Sequence, residues 1–205
     1  MLDQAEGSVT MGDDKRERIM KSAMRMFAKK GFYNTKVAEI ARGAGVADGT
    51  TYLYFKSKDD ILISLFETQM EPILAHVRKE LAKESTATGK LRRFAQLHFQ
   101  MVEKNQDLAM VIVVELRQSA KFMHEYPGTK FKEYLDVIGA IIEEGQQNGE
   151  FRSDIHPSIA KQAIFGALDG LATNWILSKR RKRGLSDLAD QVADFFVRGV
   201  AAGGA

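Results

Sequence analysis

Apolar residues recur every three or four positions along almost the whole chain, the spacing of one face of an α-helix. On that spacing nine helices are expected. The first runs from Asp14 to Lys30 on the stripe Ile19, Ala23, Met26 and Phe27, with Gly31 just past its end. The second, Lys36 to Ala44, turns Val37, Ile40 and Ala41 inward behind Thr35 as N-cap. The third, Asp48 to Tyr54, is short and polar. The fourth spans Lys58 to Ala82 and holds Ile61, Leu62, Leu65, Phe66, Ile73, Leu74, Val77 and Leu81 at helical spacing. Pro72 lies inside it and should kink it or break one turn. The fifth covers Lys90 to Lys104 and the sixth Asp107 to Ala120. The sixth contains AMVIVVEL, apolar on almost every side, so its middle should be buried. A seventh runs from Gly128 to Asn148 and stops at Gly149. An eighth starts at Pro157, a favourable first helical residue, and ends near Ser178. The ninth runs from Ser186 to Ala201. The chain has no internal repeat, and the expected fold class is all-α.

Residues 35 to 62, TKVAEIARGAGVADGTTYLYFKSKDDIL, carry the most chemistry. Gly45 sits where the turn between the second and third helices needs a positive φ, and Val46 is the apolar plug beside it. The third helix is rich in hydroxyls: Thr50, Thr51, Tyr52 and Tyr54. Phe55 anchors its end. Ser57 caps the fourth helix, with Asp60 three residues on in a capping-box arrangement. Helix, glycine turn and short polar helix are the parts of a helix-turn-helix, whose exposed second helix enters the DNA major groove. Hydroxyls there reach phosphates and base edges. An ordinary helical hairpin with solvated hydroxyls has the same parts, so the pattern alone leaves both readings open.

The full string I-A-x-x-A-G-V-A-D-G-T-T-Y-L-Y-F-K-S-K-D-D-I-L resembles the TetR family of transcriptional regulators almost position by position. That resemblance implies a nine-helix TetR-like fold: a leader over residues 1–13, a helix-turn-helix head over 14–57, and a ligand-binding and dimerisation body over 58–205. Candidate DNA contacts are Thr35, Lys36, Ala47, Asp48, Gly49, Thr50, Tyr52, Tyr54 and Lys58, with Lys58 assigned to a phosphate. One departure from the family pattern concerns the cap of the third helix. Ala47 stands where many members have Ser or Thr, and Asp48 is left as the alternative cap. Three further segments are similar to the acyl-CoA-responsive, fatty-acid-degradation branch of the family, the FadR type. They are GVADGTTYLYFKSKDDILISLFE, ELRQS at 115–119 and IFG at 164–166. The resemblance covers nearly all of residues 14–200. It implies a repressor of β-oxidation genes that releases DNA on binding long-chain acyl-CoA.

Charge distribution fits a nucleic-acid-binding head. Between residues 15 and 58 stand eleven bases and three acids, although the whole chain carries only +3. The chain has no cysteine, which excludes disulfides, thiolate metal sites and cysteine nucleophiles. No apolar run reaches the roughly 18 residues of a membrane span. MLDQAEGSVTMGDD has no apolar core and is not a signal peptide; it reads as a disordered leader, with Met11 as an alternative start. A cytoplasmic protein without membrane partners is expected. His76, His98, His124 and His156 are scattered without metal-ligand spacing. No nucleophile elbow, phosphate loop or Rossmann glycine pattern occurs. Neither a catalytic site, a metal nor a cofactor is expected, and His98 on an apolar face reads as a satisfied core histidine.

The body is rich in large apolar residues. Candidate ligand contacts are Phe66, Met70, Phe94, Leu97, Met101, Val102, Ile112, Val113, Leu116, Arg117, Phe131, Leu135, Ile138, Phe165 and Leu168; periodicity does not separate core from pocket wall. For the phosphates of CoA the candidate bases are Arg92, Arg93, Arg117, Lys121 and the run from Lys179 to Arg183. Arg117 beside Glu115 is alternatively a structural ion pair. Ala163, Gly166, Ala167 and Gly170 form a small-residue stripe that lets another helix approach closely. The last helix offers Leu188, Val192, Phe195 and Phe196. In the TetR family the last two long helices make a four-helix bundle across a two-fold axis. The resemblance thus implies a homodimer on a roughly palindromic operator. Two other functions remain open: a TetR-type efflux-gene repressor sensing other hydrophobic compounds, and a helical lipid or acyl-CoA carrier that binds no DNA.

Overall fold

The computed structural model describes residues 11–124, 126, 128–178 and 183–202. The first ten positions of the expected leader and the stretch from Lys179 to Lys182 lie outside these residues.

Three helices make a head: α1 (Met11–Lys30), α2 (Val37–Ala44) and α3 (Asp48–Tyr54). α1 starts three residues earlier than expected. Asp13 and Asp14 sit in its first turn, where carboxylates favour the positive end of the helix dipole. Its buried stripe is Ile19, Met20, Ala23 and Phe27, packed with Ile40 and Ala44 of α2. The two helices cross closely, because a Cβ on Gly43 would run into Ser22 Oγ. α2 ends in a Schellman turn. Gly45 takes φ +67°, its N–H donates to Arg42 O at 3.1 Å, and Val46 N donates to Ala41 O at 3.1 Å. At the other end of α2, Lys36 holds the cap position expected of Thr35, and Glu39 accepts from Lys36 N at 3.1 Å. Thr35 is buried instead, and its hydroxyl is satisfied by donating to Gly31 O at 2.8 Å.

α4 (Lys58–Leu81) leaves the head and enters the body. Ser57 Oγ accepts from Asp60 N at 3.1 Å, and Asp60 reaches back to Lys56 N at 2.8 Å. The helix runs unbroken through Pro72; the missing N–H removes one ladder bond without ending it. α5 (Ala87–Lys104) packs against α4, α8 (Thr129–Gln147), α9 (Pro157–Leu177) and α10 (Ala189–Val200). It begins at Ala87 rather than Lys90 because Thr86 caps it, accepting from Gly89 N at 3.0 Å. Glu150 adds to the cap by accepting from Ala87 N and Thr88 N, both at 2.9 Å. The last helix starts at Ala189, after a 3₁₀ turn over Ser186–Leu188 held by Glu103.

The expected sixth helix is not one helix. α6 (Gln106–Ala109) passes into a π-helical turn, Met110–Val114, and a 3₁₀ turn, Glu115–Gln118. Ser119 then breaks the chain before α7 (Ala120–His124). Four β-branched residues in MVIVV crowd a regular helix, and the Arg117 guanidinium takes the Val113 carbonyl as its own acceptor. π-turns are rare and gather at functional sites. Among the described residues there are thus ten α-helices and three short π or 3₁₀ turns, with Phe151 and Ala201 forming an isolated antiparallel bridge. None of these helices is long and apolar enough to cross a membrane.

Candidate functional site

The head presents α3. Thr51 and Phe55 are buried and pin this short helix to α1 and α2. The opposite side is open. Tyr52 is 59% exposed and Leu53 82%, and Ala47, Asp48 and Gly49 are exposed beside them. Thr50 and Tyr54 are half-buried. Ala47 holds the N-cap position and makes no side-chain cap bond; Asp48 lies in the first turn. Lys36, Arg42 and Lys56 are exposed on the same head.

Two candidate contacts lie elsewhere. Thr35, 1% exposed, faces the interior. Lys58 turns its ammonium inward, donating to Phe32 O at 2.7 Å, Tyr33 O at 3.2 Å and Thr35 O at 3.1 Å, 4.5 Å above the Phe32 ring. An ammonium has three N–H groups, and all three are occupied. Lys58 therefore locks the α1–α2 loop and has no donor left for a phosphate. Leu53 was not among the candidates, although a leucine between two tyrosines on a seven-residue helix with Thr51 inside has no buried face left to take.

In the body, α4, α5, the π-turn, α8 and α9 enclose an apolar cavity of about 80 Å³. Eight of the sequence candidates line it: Phe66, Met70, Met101, Val102, Ile112, Val113, Phe131 and Phe165. Ile73, His98, Leu108, Ala109, Tyr134 and Asp169 complete the wall. Phe94, Leu97, Leu116, Arg117, Leu135, Ile138 and Leu168 fall outside the lining, most of them as core behind it. His98 is not fully satisfied. Its Nδ1 lies 2.9 Å from the Tyr134 hydroxyl, and its buried Nε2 has no partner. Burial pushes its pKa down to about 4. A surface groove lined by Pro72, Ile73, His76, Leu97, Gln100, Met101 and Lys104 shares Ile73 and Met101 with the cavity.

The arginines proposed for phosphates are engaged elsewhere. Arg92 pairs with Asp194 at 2.8 Å, Arg93 with Glu80 at 2.6 Å and Arg117 with Asp169 at 2.6 Å. Arg117 does form a structural ion pair, but across to α9 rather than with Glu115. Lys121 is half-buried on α7.

Glu115 has another partner. It accepts from Phe32 N at 2.7 Å, across to the loop that Lys58 holds. Tyr33 Oη donates to Gln118 O at 2.7 Å, and Ser119 Oγ donates to Asp59 Oδ1 at 2.6 Å. Residues 115–119, ELRQS, thus join the cavity wall at Val113 directly to the head.

Residues 19–65 match the model of the bacterial regulatory proteins, tetR family, and residues 66–199 that of the YsiA-like protein, C-terminal region. The chain belongs to the TetR family. TetR regulators bind operator DNA and dimerise. The fatty acid metabolism regulator protein of Bacillus subtilis (strain 168) is 36% identical over 183 residues, covering 89% of this chain and 94% of that protein. The crystal structure of the transcriptional regulator FadR from Bacillus subtilis in complex with stearoyl-CoA superposes with a TM-score of 0.83 over 89% of this chain and 98% of that one. FadR from Bacillus halodurans, a fatty acid degradation regulator, is 34% identical with the same TM-score, covering 90% of this chain and 95% of that one. In this TetR chain the face for a second subunit would be α9 and α10. Gly166, Ala167, Gly170, Val192, Phe195 and Phe196 line a shallow groove of about 460 Å³ there, and Phe195 is 76% exposed. Ala163 and Leu188 lie outside that groove.

Proposed function

We propose that this chain is a homodimeric repressor of fatty-acid degradation genes that leaves a two-fold symmetric operator when long-chain acyl-CoA enters the cavity. The head is assigned to residues 14–57 and the ligand-binding, dimerising body to 58–205. The observation that carries the reading is the cavity wall itself: an apolar pocket bounded by an irregular π/3₁₀ segment that hydrogen-bonds to the head. Likeness to the stearoyl-CoA-bound regulator supports the ligand class.

Physical chemistry supports the direction of the switch. One water needs about 10–15 Å³ by the same kind of measure, so 80 Å³ is far short of a long acyl chain. A chain that enters must push the walls apart. Each buried methylene contributes about 0.8 kcal/mol, which drives that expansion. The irregular π/3₁₀ segment is the wall expected to yield, because mid-helix irregularity of this kind marks functional hinges. Movement there reaches the head through Glu115 and Gln118, and the start of α4 through Ser119. Ligand then favours the arrangement of heads that does not fit the operator, because only a difference in affinity between two states shifts their populations. A cationic ligand is less well served: Asp169, the acid in the lining, is already paired with Arg117. The reading gives the chain no catalytic role and places it in the cytoplasm with its DNA.

Operator binding titrated with acyl-CoAs of increasing length tests it, with free CoA, free fatty acid and a cationic dye as controls. Release should strengthen with chain length until the cavity is full, and free CoA should do little. Release by the dye and not by acyl-CoA would replace this reading with the efflux-gene repressor.

A further inference from the structure

His98 is the polar feature that the cavity's apolar walls do not explain. It is 7% exposed, lines the cavity, and has a partner on one ring nitrogen only. That partner, the Tyr134 hydroxyl, is itself buried and lines the same cavity, with the contact to His98 Nδ1 as its one hydrogen bond.

Two neutral tautomers satisfy this contact. With the proton on Nδ1, the ring donates to the phenol oxygen. The phenol proton then lacks an acceptor and the Nε2 lone pair lacks a donor. With the proton on Nε2, the phenol donates to Nδ1 and only the Nε2–H is left over. Leaving a buried polar group unpaired is costly, so the arrangement with one such group prevails over the arrangement with two. Burial depresses the imidazole and raises the Tyr134 phenol, so near neutral pH the ring is uncharged and the phenol keeps its proton.

We infer that His98 offers an Nε2–H donor to the ligand and binds the carbonyl oxygen of an acyl thioester, with Tyr134 as the positioning residue that fixes the tautomer. The inference rests on the acyl-CoA reading and deepens it. An alkyl chain has no acceptor to offer this donor, whereas the thioester carbonyl is the polar atom next to the chain. The path outward fits. Met101, one turn beyond His98 on α5, and Ile73 are shared with the surface groove, so the pantetheine arm would leave over them towards His76, Gln100 and Lys104.

Two ligands of equal chain length separate the idea from its alternatives: palmitoyl-CoA and S-hexadecyl-CoA, the thioether in which a methylene replaces the carbonyl. Wild-type protein should bind the thioester about tenfold more tightly, the fold-change that one hydrogen bond supports. His98→Phe should bring the ratio close to one, and His98→Gln, which keeps an N–H donor, should retain part of it. Nitrogen-15 spectra of the wild-type imidazole should report the Nε2–H tautomer before ligand is added, and Tyr134→Phe should turn it into a mixture. Equal wild-type affinity for the two ligands would overturn the inference and leave the acyl-CoA reading intact. A preference that survives in His98→Phe, or an Nδ1–H tautomer in the spectrum, would also overturn it. Failure of both ligands to bind a protein that still holds operator DNA would remove the acyl-CoA reading and this inference together.

Discussion

His98 stays neutral in the fold at pH values where a free imidazole is charged. Its ordinary value is 6.5, and burial in the cavity wall lowers it to about 4. Between those values the unfolded chain binds a proton that the folded chain refuses, so stability rises with pH across that window and falls as pH drops through it. At pH 5 the loss relative to neutral pH should be about 2 kcal/mol, from 1.36 kcal/mol per pKa unit. Denaturant midpoints at pH 7.5 and 5, compared between wild type and His98→Phe, isolate the histidine's share. The variant should lose less, and an equal loss in both would mean that the histidine is not the source. Lys58 shows what spacing does not reveal. It is a base at the start of α4, next to the short polar helix, yet three carbonyls and the Phe32 ring draw its ammonium inward. Lys58→Ala should weaken binding to all DNA sequences by loosening the α1–α2 loop, and leave the slope of log affinity against log salt unchanged. Lys36→Ala should lower that slope by roughly one unit. A one-unit change in the Lys58 variant would return the residue to the phosphate. Gly45 was legible where Lys58 was not, because positive φ is a demand of the local backbone and side-chain direction is a product of tertiary neighbours.

At the scale of elements, regular helices were the legible part. α1 to α4 and the last two long helices follow apolar stripes whose ends carry local signals, such as Gly31, Gly45, Ser57 and Pro157. The sixth element failed because its apolar run has no period. A segment buried on every side gives the same pattern whether the backbone is α, π or 3₁₀, and the choice was made by bonds to distant residues. Cavity walls were half legible for a related reason: Phe66 and Phe94 have the same periodicity and burial, and only the packing of α8 and α9 decides which one faces the empty space. The irregular segment is also where coupling is expected. Glu115→Ala removes the acceptor for Phe32 N and cuts one of the two bonds from this segment to the head. Acyl-CoA affinity of the DNA-free protein should change little, whereas the factor by which ligand weakens operator binding should fall several-fold, against typical coupling energies of about 1–3 kcal/mol. Linkage supplies an internal check, because the factor by which operator weakens ligand binding must fall equally. Calorimetric titration of ligand with and without operator measures it. An unchanged factor would mean that the Glu115 bond does not carry the signal.

Over the whole molecule, the split between a basic head and an acidic body was plain in the sequence and belongs to a dimer that holds two heads on one duplex. The surface proposed to join the protomers is one that a single chain leaves uncovered. Gly166 and Gly170 lie on α9 beside α10, and a Cβ added to either would meet nothing within its own chain. Phe195 stands 76% exposed in the same groove, an apolar side chain that a solitary protomer would leave in water. A bulky substitution there is therefore harmless to the protomer and harmful to an interface, which separates loss of assembly from loss of folding. Gly170→Leu should keep the helical content and lose little thermal stability beyond what dissociation itself removes. Overpacking costs about 1–3 kcal/mol at a close-packed site, and two-fold symmetry makes the substitution appear twice. The dimer constant should then weaken by roughly thirtyfold or more. Operator affinity should fall with it, because a lone head keeps only one half-site and half of the phosphate contacts. Sedimentation at nanomolar to micromolar concentration reads the first effect, and binding to a whole operator against a single half-site reads the second. A variant that stays dimeric at nanomolar concentration would move the interface off this face, since no pair of helices in close approach at Gly170 could absorb two leucines unchanged.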